Sequence, residues 1–152
     1  MHDAYVVLVT LHVISAVVGF AAIALSGIYG GTAGHLDKAG AIAESRRFFA
    51  TPNRLALATL AVPFFAVAAL AAGGHRSEFG DAWVSAALAV WLVVAGVFTS
   101  VVRPAERDLA QLLQAEPPDP AAVAPVARRL SRAAAGCDVA FVIALGLMIW
   151  QP

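Results

Sequence analysis

From Ala4 to Tyr29 the sequence AYVVLVTLHVISAVVGFAAIALSGIY contains no charged residue. A helix needs roughly 20 apolar residues, at about 1.5 Å rise each, to cross the hydrocarbon core of a bilayer. Inside lipid, each backbone N–H and C=O must be satisfied within the segment itself, which leaves a helix as the economical solution. The stretch therefore predicts a membrane-spanning helix on which the rest of the chain packs.

Three more apolar runs follow, at about 55–72, 82–102 and 136–150, separated by polar connections at 30–54 and 103–135 and a tight one at 73–81. Composition agrees. Of 152 residues, 61% are hydrophobic and 13% charged, whereas a soluble domain carries about 25% charged residues. The fold class read from this pattern is all-α and integral to the membrane: a single four-helix bundle. Gly30 and Gly31 are expected to end the first span and Arg103-Pro104 the third. Pro63 falls within the second span, where it removes a backbone donor and predicts a kink covered by a neighbouring helix. Trp83 suits the aromatic belt at the membrane interface, and Trp91 sits deeper as a packing or lipid-facing residue. Short helices are expected over 36–49 and 105–115, the second with Leu109, Leu112 and Leu113 on one face and Glu106, Arg107 and Asp108 away from it. A further helix over 121–135 should run into the fourth span.

The basic residues set an orientation. The connection 30–54 holds Lys38, Arg46, Arg47 and Arg54, and 103–135 holds Arg103, Arg107, Arg128, Arg129 and Arg132; the connection between spans two and three holds Arg76 alone. By the positive-inside rule the two long connections are cytoplasmic and both termini outside. The short polar start MHDAY lacks a basic region, so the first span reads as retained rather than cleaved. Arginine outnumbers lysine and alanine abounds, as in high-GC bacteria, which points to the bacterial inner membrane. The single cysteine, Cys137, excludes an intrachain disulfide. Zero net charge without a basic, aromatic-interleaved tract argues against nucleic acid as a partner.

His12 lies about 12 Å from the predicted outer end of its helix, at 1.5 Å per residue. An ionisable group at such depth is costly in lipid and marks a functional candidate. It can be an axial ligand to haem b. It can be a copper ligand beside His2 or His75. It can also be structural, donating to a backbone carbonyl, Ser85 or Thr59. Asp138, the acid within span four, is expected to pair with Arg103 or Arg54 at the cytoplasmic end, or to line a proton or cation path. Ser15, Gly19, Gly27 and Gly31 recur at multiples of four and are expected to form one small-residue face for close helix packing. No phosphate loop, nucleophile elbow or zinc-protease helix is present.

Two stretches carry a resemblance: Leu11-His12-Val13-Ile14-Ser15-Ala16-Val17-Val18-Gly19, and Leu145-Gly146-Leu147-Met148-Ile149-Trp150-Gln151-Pro152. With four spans and arginine-bearing connections, they resemble the bacterial integral membrane proteins grouped as domain-of-unknown-function family 2269, which implies architecture alone. The first stretch also looks like the start of copper-resistance D-type and related haem-associated membrane proteins; that resemblance implies a role for His12.

Taken together, the chain reads as a small non-enzymatic inner-membrane protein. Its expected role is an accessory or assembly subunit, with the lipid bilayer and other membrane subunits or further copies of itself as partners. The alternatives are a haem- or copper-binding redox or transport protein using His12, and a small oligomeric transporter with Asp138 on its path.

Overall fold

Each long apolar run forms a helix, and the helices extend past the ends of the runs. The computed structural model describes residues 2–35, 40–74 and 79–150, apart from the His2 side chain. Helix α1 spans His2–Ala33 and α2 spans Ala41–Phe49. A 3-10 segment, Leu55–Ala61, leads directly into α3, Val62–Ala72. Helix α4, Ala82–Val97, passes through a π-helical turn, Phe98–Val102, into α5, Arg103–Leu112. The final helix, α6, covers Pro120–Trp150. No strand occurs among the described residues. Four helical stretches, Asp3–Ala33, Leu55–Ala72, Ala82–Leu112 and Pro120–Trp150, are long and apolar enough to cross a membrane. In each, a third or less of the most apolar window is buried by the rest of the chain. Apolar side chains such as Val13, Val17, Phe64, Leu92, Val93, Val142 and Ile143 face outward. A monomeric water-soluble fold rarely leaves so continuous an apolar exterior uncovered.

Two expected helix ends are not ends. Helix α1 continues through Gly30 and Gly31 because both pack on α6. A Cβ at Gly30 would lie 3.0 Å from Leu130, and one at Gly31 would lie 3.5 Å from Ser131 Oγ. Packing here outweighs the weak helix propensity of glycine. Pro104 likewise continues the third helix, since the π turn before it absorbs the missing donor. Within that turn, the hydroxyls of Thr99 and Ser100 donate back to the carbonyls of Ala95 and Gly96 at 2.7 and 2.6 Å.

The small-residue ladder does not present one face. Each four-residue step in a 3.6-residue helix overshoots the turn by about 40°, so the row winds around α1. Gly19 faces the 3-10 segment, where a Cβ would fall on the backbone nitrogen and Oγ1 of Thr59. Gly27 faces α6, where a Cβ would meet that of Ala134 at 2.6 Å. Ser15, buried near the first contact, donates to the His12 carbonyl of its own helix at 2.9 Å. Helix α1 thus lies between two partners, which explains why its small residues spread around it. Ser131 Oγ donates to the Gly27 carbonyl at 2.8 Å, and Phe20 stacks on Phe141 at 4.4 Å between centroids, which fixes α6 antiparallel along α1.

Helix α4 packs on α6, while α3 packs on α1 and scarcely touches α4. The four long helices form a curved row, α3–α1–α6–α4, with a seam between its two ends. At the other end of the bundle, α2 closes the structure. Tyr29 stacks on Phe48 at 4.1 Å, and Arg46 Nε donates to the Leu113 carbonyl at 2.7 Å, which caps the C-terminus of α5. The Arg46 guanidinium also pairs with Glu116 at 3.1 Å.

Candidate functional site

Pro63 prepares the site. In a continuous α-helix the amide of residue 63 would donate to the carbonyl of Thr59, and proline has no such donor. The span responds by splitting into a 3-10 segment and α3. The indole Nε1–H of Trp91, on α4, donates to the Thr59 carbonyl at 2.9 Å. Where a kink is expected at Pro63, the structure shows a change from 3-10 to α-helix, and a neighbouring helix covers the affected carbonyl. Trp91 works as a donor, a role that its depth in the sequence does not reveal.

One residue earlier, the Val62 carbonyl meets His12 Nδ1 at 2.9 Å. A carbonyl oxygen only accepts, so Nδ1 carries the proton. Nε2 is then the nitrogen with a lone pair, and it has no partner among the described residues. Of the three roles expected for His12, donation to a backbone carbonyl is the one this bond displays. The same bond also orients the ring so that Nε2 is available to a ligand, the arrangement found behind many metal-binding histidines.

The ring lines a cavity of about 310 Å³ in the seam between α3 and α4. Val62, Pro63, Ala66, Val67 and Leu70 form one wall and Trp83, Val84, Ala87, Leu88 and Trp91 the other. Tyr5, Val9 and His12 of α1 form the floor, with Met148 of α6. Trp83 thus walls the cavity as well as standing near the end of its helix. Ser85 lines the same cavity but makes no bond to His12. Walls of aliphatic and indole groups with a few polar atoms suit a largely apolar ligand. Among the described residues no group of three His, Cys, Asp or Glu side chains converges to hold a metal ion. The His2 side chain and His75, the companions expected for a copper site, lie outside the described residues.

Asp138 does not pair as expected. It is half-buried on α6, and among the described residues the single ion pair joins Arg46 to Glu116. The contacts of Ser131 with Gly27 and of Phe141 with Phe20 set Asp138 alongside the 20–27 stretch of α1. Arg103 and Arg54 line a separate cavity beside the 50–54 loop, and the acid facing them there is Glu106.

That second carboxylate belongs to a polar cluster the sequence reading missed. Ser26, fully buried on α1, donates its hydroxyl to Glu106 Oε1. Asn53 Nδ2 donates to the Ala22 carbonyl at 2.8 Å and to Ser26 Oγ at 2.9 Å. The signal was available in the register: Glu106 sits four residues after Val102 and three before Leu109, both fully buried. It therefore lies on the inward stripe of its helix and not opposite it. The cluster ties α1, the 50–54 loop and α5 together. Comparison of the chain with known protein families, curated proteins and solved structures returned no significant match.

Proposed function

We propose that this chain is a multi-pass protein of the bacterial inner membrane, with both termini outside, that holds a flat, mostly apolar ligand from the lipid phase against His12. One observation carries the reading: Val62 fixes Nδ1 as the donor, and Nε2 has no partner among the described residues in a ring that floors an apolar cavity. Haem b is one candidate occupant, since His12 could supply an imidazole ligand and the walls are apolar, and the iron would supply redox chemistry when bound. For copper the cavity offers the Met148 thioether beside His12, but no group of three His, Cys, Asp or Glu side chains converges among the described residues. An accessory role in a larger membrane complex is the same proposal seen from outside, the bundle contributing the ligand-bearing site. A transport path through Asp138 draws no support from the two cavities, because Asp138 lines neither.

The test is an absorbance spectrum of the detergent-purified protein, oxidised and reduced, combined with mass spectrometry of its organic extract. A Soret band lost in His12→Ala establishes haem. A colourless lipophilic compound lost in the same variant keeps the site and changes its occupant. Trp83 and Trp91 both face the cavity. If no compound co-purifies, and neither haem nor a quinone quenches their fluorescence, the proposal fails.

A further inference from the structure

The arginines at the α2 end divide into two kinds. Arg46 is engaged, with the Leu113 and Ala115 carbonyls and the Glu116 carboxylate as partners. Arg54, Arg103 and Arg107 make no hydrogen bond or ion pair among the described residues, yet all three line one cavity of about 740 Å³. The cavity lies between the 50–54 loop and α5, at the opposite end of the bundle from His12; its reading does not need the ligand proposed there but rests on the same membrane topology.

Three features of this cavity point to an anion. Arg103 and Arg107 stand one helical turn apart, a spacing at which like charges repel, and Arg54 adds a third guanidinium from the neighbouring segment. Glu106 is the acid that faces them; its hydrogen bond from Ser26 holds it at the inner wall. Three guanidiniums against one carboxylate leave an excess of positive charge. The level is also informative: the apolar run of the second span begins at Leu55, directly after Arg54, and Phe48 and Leu57 supply apolar wall beside the charges. On the predicted topology this is the depth of the cytoplasmic headgroups, where basic side chains meet anionic lipid.

We infer that the cavity bounded by Arg54, Arg103 and Arg107 binds an anionic phosphate group, which the guanidiniums grip through paired N–H donors. The phosphate can come from the headgroup of an inner-leaflet lipid or from a free phosphate in the cytoplasm.

The full chain in phosphatidylcholine bicelles is titrated with phosphatidylglycerol, and separately with inorganic phosphate, while the thermal midpoint is followed. The expected result is a saturable rise with phosphatidylglycerol. In Arg103→Gln/Arg107→Gln its half-point should move up about tenfold or more, given the strength of hydrogen bonds between charged groups. Arg128→Gln/Arg129→Gln, which alters exposed residues of α6, should leave it in place. An equal rise with inorganic phosphate, lost in the same variant, supports the site and assigns it a soluble ligand. Should the double variant not fold, Arg54→Gln at the exposed rim gives the same readout. No saturable rise with either compound overturns the inference, as does an equal loss in the α6 control, which would reduce the effect to diffuse charge.

Discussion

Trp91 donates its indole N–H, at 2.9 Å, to the Thr59 carbonyl, whose α-helical donor would be the N–H that Pro63 lacks. One side chain thereby repairs a break in the adjacent span and anchors α4 across the seam.

Trp91→Phe keeps a ring in place and removes the donor. It should cost about 0.5–1.5 kcal/mol, the net worth of one hydrogen bond, measured by denaturation in mixed micelles. Pro63→Ala restores a backbone donor, so the double variant should lose less than the two single losses added together. Strict additivity would show that the indole bond does not answer the proline.

Gly19→Ala should destabilise the bundle by about 1–3 kcal/mol, because the new methyl has no room against the Thr59 backbone. Gly136→Ala serves as the contrast. Nothing lies within 4 Å of a Cβ at that position, so the substitution should be neutral or stabilising by up to about 1 kcal/mol. Equal thermal midpoints for the two variants would contradict the tight contact.

Ser26, Asn53 and Glu106 act as one unit in this structure. Ser26→Ala removes both the donor to Glu106 and the acceptor for Asn53. A double-mutant cycle with Asn53→Ala should therefore show a coupling of about 0.5–3 kcal/mol. A coupling indistinguishable from zero would mean that water replaces these bonds at little cost.

Asp138→Asn and Arg103→Gln, by contrast, should add to within about 0.5 kcal/mol, as independent sites do. A larger coupling would restore the ion pair that the structure lacks.

The spans were legible because lipid enforces a simple rule: an uninterrupted apolar run must be a helix. Their ends were not. Gly30, Gly31 and Pro104 are breakers by propensity, and α1 and the third helix pass through them because Leu130 and Ser131 pack on the glycines and a π turn precedes the proline. The role of Pro63 could be read from the chemistry of one missing N–H, but the identity of the residue that answers it could not, since Trp91 and Thr59 meet only in three dimensions. Glu106 was missed because its segment looked like a surface helix; counting from Val102 and Leu109 would have turned it inward. Asp138 and Arg103 show the limit of reasoning by depth. Height along a bundle can be counted from sequence, whereas azimuth depends on which helices touch.

The seam between α3 and α4 sets the terms on which any occupant of the His12 cavity binds. In the membrane setting proposed above, an opening at this seam would admit molecules already dissolved in the bilayer, so occupancy would follow their mole fraction among lipids and not their molarity in water. A compound too polar to partition would be excluded however well it matched the imidazole. Diluting the protein into more detergent at fixed total ligand should empty the site in step with amphiphile volume.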